Sequence, residues 1–302
     1  MALFSEREGR RTAPIEKEQM TQSEYVILSD ICKNYFINLA WLFPIPCPDN
    51  ATNITGTDTE KLSRWLSVEI PGLIINIHGD MGMPQERDVI KFQYDLLDLI
   101  EYVAKNIRDY TKGTWHQFFM HHELDFDEKK AQVFVEFKKA INNIFDKTGL
   151  QFILTDAKQI ERKITTGAAA TIAPAVAAVK EKGLRDLLNE ALGYYKLPRP
   201  EDKQVAIEKL WDAYERLKTH HLAPGVDKKA SATKLVNDMA DGSAAFAAMF
   251  DAEFKALTDI GNDYRIRHHE TNRVEITKSA DYDYYFNRCL ALIERALKTL
   301  PI

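Results

Sequence analysis

Thiols are scarce in this chain: Cys32, Cys47 and Cys289 are its three cysteines among 302 residues. An odd number, widely separated and without a CxxC pair, argues against a disulfide framework or a thiolate zinc site and fits a reducing cytosol. Long apolar runs are missing too. Nothing approaches the roughly 18 consecutive apolar residues of a membrane span, and residues 1–20, dense in Glu, Arg and Lys, hold no signal-peptide core. A cytoplasmic protein with no membrane partner is expected. Nor is there an excess of positive charge: 40 Lys and Arg stand against 45 Asp and Glu, a net charge of −5. Any nucleic-acid contact must therefore be local. A P-loop, a Rossmann fingerprint and a GxSxG elbow are all absent, which removes the usual supports for nucleotide hydrolysis, dinucleotide redox chemistry and α/β-hydrolase chemistry.

What is there is helical periodicity. Apolar residues recur every three or four positions from Ser23 to Phe43, where Pro44 to Pro48 stops them. They recur again from Val89 to Ile107 behind Pro84, which suits a first helical turn, and from Val133 to Phe145, which Asp125 or Asp127 can cap. Gly149 suits the left-handed turn after that helix. Leu62 to Val68 reads as a short helix and Pro71 to Pro84 as a long loop. Leu150, Phe152 and Leu154 alternate, polar residues follow, and Ile160 resumes, predicting a small β-hairpin, the one confident strand signal. The Ala- and Thr-rich stretch Thr165 to Ala178 marks a composition shift, with a helix restarting at Pro174. Beyond it, stripes at Leu184–Tyr195, Ile207–Leu217, Phe246–Ile260 and Tyr285–Leu297 predict antiparallel helices. The expected fold is mainly α: a helical amino-terminal domain over residues 1–165 with a small β-hairpin, then a helical bundle over 174–302.

Three polar clusters could carry chemistry. The densest contains Asn262, Arg265, Arg267, His268, His269 and Glu270, two fixed cations and two imidazoles close behind an amphipathic helix. An Arg fork binds phosphate bidentately, and a His near neutral pKa can move the proton of a ribose 2′-hydroxyl, without a metal or other cofactor. The competing view is a solvated turn whose basic residues complement a helix carboxyl end. The second cluster pairs Arg216 with His221, four residues lying between them. Five positions apart is not one helix face, so His221 must lie past the helix end or reach a shared site from there. The third is Trp115-His116 with His121-His122-Glu123. Adjacent histidines diverge on a helix or strand, and no thiolate or carboxylate completes a tetrahedral set at usual spacing, so no metal is expected and an aromatic, His-rich structural loop is favoured.

Phe4-Ser5-Glu6-Arg7-Glu8-Gly9, Trp115-His116-Gln117-Phe118-Phe119 with His121-His122, and Leu150 to Arg162 resemble the amino-terminal domain of AbiJ-like abortive-infection proteins of bacteria. Leu210 to Thr219, Leu257 to Asn262 and Arg265 to Glu270 resemble the helical domain that accompanies it. Such domains are often related to the HEPN superfamily, whose active members are dimeric, metal-independent ribonucleases using an Arg, four to six residues, then a His. The resemblance therefore implies a HEPN-like antiparallel bundle working as a homodimer. Arg216 and His221 meet that spacing; Arg265 stands too close to His268 and His269 to do so. The resemblance implies an antiphage endoribonuclease acting on cellular RNA, tRNA among the candidates, with a defence-system partner or phage-derived trigger. Two alternatives stay open: a non-catalytic module binding RNA or a partner in a defence complex, and a toxin held off by a separate neutralising protein.

Overall fold

The computed structural model of the chain describes residues 4, 8, 14–164, 168–264, 266 and 274–299. It is mainly helical with small two-stranded antiparallel sheets, and it divides into two compact units, Met1–Glu161 and Arg162–Ile302.

In the first unit, α1 (Gln22–Asn34) opens on a capping box in which Thr21 and Glu24 satisfy each other's backbone donors. A 3₁₀ turn follows at Phe36–Leu39, so the expected single helix to Phe43 ends early. Strands β1 (Pro44–Pro46) and β2 (Ile54–Thr57) pair next. Helix α2 spans Thr59–Glu69 with Asp58 as its cap. Helix α3 begins at Val89, behind a 3₁₀ turn at Glu86–Asp88, and ends at Asn106. Pro84 is thus not a first-turn residue; its carbonyl instead accepts from the Gln22 side chain at 2.8 Å.

The largest departure from expectation is a hairpin of β3 (Asp109–His116) and β4 (His121–Asp127) where an aromatic, His-rich loop was foreseen. The cap of the next helix, α4 (Gln132–Thr148), also differs: the Asp109 carboxylate accepts from Val133 N at 3.1 Å, in place of Asp125 or Asp127. Gly149 does terminate α4 with a left-handed φ of 75°. There a Cβ would stand 2.4 Å from the Ile15 carbonyl oxygen, so glycine is required on two counts. The expected hairpin is β5 (Phe152–Leu154) and β6 (Ile160–Arg162). Tyr25, Leu28, Leu96, Ile100, Phe137 and Phe145 centre a core that α1, α3 and α4 share with Phe152 and Leu154.

The second unit starts with short helices α5 (Ala168–Thr171) and α6 (Ala173–Ala177). Helices α7 (Lys182–Lys196) and α8 (Pro200–Leu217) follow, joined by three residues and packed together, with Pro200 in the first turn of α8. Next come α9 (Lys228–Ala240), not foreseen from its weak apolar stripe, α10 (Ala244–Asp263) and α11 (Ser279–Thr299). Trp211 and Tyr214 of α8 sit at the centre of their core, wholly buried among Leu188, Leu257, Phe286 and Ile293. Each keeps a polar handle satisfied: Trp211 Nε1 donates to Leu257 O at 3.2 Å and Tyr214 Oη to Phe254 O at 2.6 Å, which pins α8 to α10. Among the described residues, no helix is long and apolar enough to cross a membrane.

Candidate functional site

The carboxyl end of α8 carries Arg216, and the turn beyond it carries His220 and His221. That turn is held by the fully buried Ser231 of α9, whose hydroxyl donates to Lys218 O at 2.8 Å and accepts from His221 N at 3.0 Å. Position and helix end therefore agree: the two imidazoles are presented past the last helical turn, as the five-residue spacing required.

Their side chains then part. His220 lines a surface cavity of about 350 Å³ together with Arg216, Thr219, Leu217, Leu184 and Glu181. Burial, and then the neighbouring His221, push its imidazole below the usual histidine value, which keeps it neutral and able to accept a proton. His221 turns to α9, where its Nε2 comes 2.7 Å from Asp238 Oδ2, at ion-pair distance but outside hydrogen-bond alignment. Its ring stands edge-on to that of His220, 4.7 Å between centroids.

Arg216 is not idle. Its Nε and Nη2 meet the two oxygens of Glu181 at 2.7 and 2.9 Å, a fork-to-fork pair. Glu181 also caps α7 through Gly183 N and Leu184 N. The Arg216 hydrogen bond, with those two amides, holds the Glu181 carboxyl down at about 2. The guanidinium approaches α7 so closely that a Cβ on Gly183 would lie 2.4 Å from its central carbon. Glu181 and Asp238 were not singled out in the sequence, and His220 stood inside the Arg216 to His221 cluster without a role of its own; Glu181 could have been found as the helix-capping acid just before the Gly183–Leu184 turn.

Of the other predicted cluster, Asn262 is exposed in the last turn of α10. Arg265, Arg267, His268, His269 and Glu270 lie outside the described residues. Their flanks are fixed: Tyr264 bridges to Val274, and Ile266 is fully buried in the core of the unit.

The third cluster corrects an expectation. His116 and His121 face each other across the end of the β3–β4 hairpin, and Cys47, just past β1, brings a thiol to both: Sγ lies 4.0 Å from His116 Nε2 and 3.4 Å from His121 Nε2. A sulfur donor is thus at hand, missed because it is contributed by a distant hairpin. His122, as alternation along a strand requires, points the other way, to Gly113 O at 3.2 Å and the Trp115 ring.

No family model, curated protein or solved structure matches the chain.

Proposed function

We propose that the chain is an antiphage abortive-infection protein whose second, HEPN-like unit is a metal-independent endoribonuclease acting on cellular RNA. One observation carries the chemical part of this reading: Arg216 and His220 line the same surface cavity at the end of α8, with His221 against His220 and Asp238. The defence role rests on the resemblance to AbiJ-like proteins.

In this reading a neutral imidazole takes the proton of a ribose 2′-hydroxyl, O2′ attacks the adjacent phosphorus, and the 5′ oxygen leaves with a proton from a second acid. The products are a 2′,3′-cyclic phosphate and a 5′-hydroxyl. The Arg216 fork carries the charge that develops on the phosphorane oxygens. His220 suits the base, and His221, 2.7 Å from Asp238 Oδ2, suits the acid. The two oxygens of Glu181 now occupy the fork that two phosphate oxygens would take, so substrate must displace an internal carboxylate. Arg265, Arg267, His268, His269, Glu270 and Asn262 remain a second candidate set, in the same chain or across a homodimer.

The experiment incubates purified protein with bulk bacterial RNA and with tRNA, with and without EDTA. Cleavage that survives EDTA, leaves cyclic phosphate ends and falls at least a hundredfold in His220→Ala or His221→Ala supports the reading. Loss in His269→Ala alone moves the site to the second cluster. RNA bound but uncut by every form favours the non-catalytic binding module, and growth arrest on expression without phage favours the toxin.

A further inference from the structure

We infer that the first unit holds one zinc ion, bound by Cys47 Sγ, His116 Nε2, His121 Nε2 and the Glu123 carboxylate. This rests on the first unit alone and is independent of the ribonuclease reading.

The donor atoms of Cys47, His116 and His121 all lie within 4.8 Å of one another. Around a tetrahedral zinc, with Zn–S near 2.3 Å and Zn–N near 2.0 Å, neighbouring donors stand about 3.5 Å apart. The 3.4 Å between Cys47 Sγ and His121 Nε2 already matches, and the 4.0 Å to His116 Nε2 needs a shift of a few tenths of an ångström. A fourth donor stands beside them: Glu123 Oε1 lies 2.9 Å from His116 Nε2 and must move towards the thiol and His121 to complete the set. A thiolate with two imidazoles is a borderline-soft set that selects zinc over magnesium or calcium. On binding, the Cys47 thiol gives its proton to water.

The surroundings point the same way. His116 Nδ1 lies 2.8 Å from Asp49 Oδ2, the carboxylate–histidine arrangement that orients a metal-binding imidazole, and zinc would take the place of the proton that Nε2 now directs at Glu123. Asn53 donates to the same Glu123 Oε1 and so restrains the carboxylate. Cys47 itself is buried, and its backbone N–H is tied to Asn53 O at 2.8 Å, so the thiol is aimed and not wandering. The sequence carries the trace of it: His116 and His121 are separated by four residues, within the spacing that zinc-binding histidine pairs use.

The fold supplies a reason for a metal here. Of the fifteen residues that form β3 and β4, Leu124 is the buried one, and it is not part of the core that α1, α3 and α4 build. A two-stranded hairpin with so little apolar burial is marginal in water. Zinc joining Cys47 of one hairpin end to His116, His121 and Glu123 of another would hold both where apolar packing does not. Four protein donors make the site closed, hence structural in kind.

The test uses the full-length protein. It is stripped of metal with a chelator, then titrated with zinc chloride and, separately, with cobalt chloride, whose absorption reports coordination. Expected are one equivalent of zinc per chain, tetrahedral cobalt bands in the visible, and a near-ultraviolet thiolate-to-cobalt band. That band should vanish in Cys47→Ser and persist in His122→Ala. His121→Ala should weaken zinc binding at least a hundredfold, and Asp49→Asn, which leaves every donor present, about tenfold or more. Amide exchange over residues 109–127 should slow on zinc addition. If Cys47→Ser fails to fold, Asp49→Asn and His122→Ala still decide the matter. Wild type without a thiolate band, a band that survives Cys47→Ser, or equal affinity in His121→Ala and His122→Ala would overturn the assignment.

Discussion

Replacing Asp283 by Asn removes one charge and no volume, yet it should be among the costliest conservative changes in the second unit. The Asp283 carboxylate accepts from Lys203 Nζ at 3.0 Å, from Arg162 Nη2 at 3.3 Å and from the Tyr195 hydroxyl at 2.9 Å. The Lys203 side chain is 1% exposed and that of Arg162 7%, while that of Asp283 is 31% exposed. Both cations are thus kept out of water with Asp283 as a shared counter-charge. Breaking a buried pair costs roughly 3–5 kcal/mol; the partial exposure of Asp283 argues for the lower end, about 3 kcal/mol. In a unit of about 140 residues each kcal/mol moves the midpoint by about 4 °C, so Asp283→Asn should lower Tm by roughly 12 °C. Burial first, and then the Asp283 charge, also raise the Tyr195 phenol well above its ordinary pKa, so it donates throughout the accessible range. Calorimetry of wild type, Asp283→Asn, Lys203→Met and the double variant gives the coupling directly. A fall of less than about 3 °C in Asp283→Asn, close to about 1 kcal/mol, would refute the claim that this carboxylate compensates the buried cations.

Two further outcomes follow from side chains already placed. Gly261→Ala would bring a Cβ to 2.3 Å from Trp211 Nε1; the indole must shift from its Leu257 carbonyl, at a cost of about 2 kcal/mol typical of overpacking, read as a denaturation midpoint shift with altered tryptophan emission, and an unchanged midpoint would sink it. Glu181→Gln removes the charge that occupies the Arg216 fork, so RNA affinity should rise severalfold at low salt, and equal affinities in a filter-binding assay would count against Glu181 as a competitor for that fork. The same pair fixes a pH expectation: the Glu181 carboxyl is held down from its ordinary value of 4.5 to about 2, so the small stabilisation it contributes is complete above pH 4.5 and is lost as pH falls towards 2. Wild type and Glu181→Gln should therefore differ by a small constant amount from pH 5 to 8 and converge as pH falls to about 2.

The helices were legible because their apolar residues keep one period and one face. Val89 to Ile107, Val133 to Phe145 and Ile207 to Leu217 read as helices and are buried along those stripes. Pro84 misled because a 3₁₀ turn intervenes before Val89. The β3–β4 hairpin was hidden for a physical reason: neither face packs on a core, so Tyr110, Lys112, Trp115 and Glu123 show no alternation of apolar with polar residues. Pro44-Ile45-Pro46 read as a helix stop, yet an edge strand tolerates proline. Cys47 looked isolated since spacing rules describe donors on one local motif, whereas here 69 positions separate the thiol from His116. At the end of α8 the spacing selected Arg216 and His221; His220 shares the cavity because the chain leaves the helix at Leu217, and after that point helical geometry no longer decides which way a side chain faces.

The pairing of Arg216 with Glu181 bears on how such a site would be controlled. Both side chains are about half exposed, so water screens their attraction and the pair adds little to stability. Its grip on the guanidinium is therefore a matter of competition, not of locking. A single phosphate would gain no more than the carboxylate already provides. An RNA chain that also engages neighbouring cations gains at several points at once, and only that sum displaces Glu181. Selectivity for a polymer over mononucleotides follows, with a steep loss of binding as salt rises. A mononucleotide that competes as well as RNA of ten or more residues would show that Glu181 sets no such threshold.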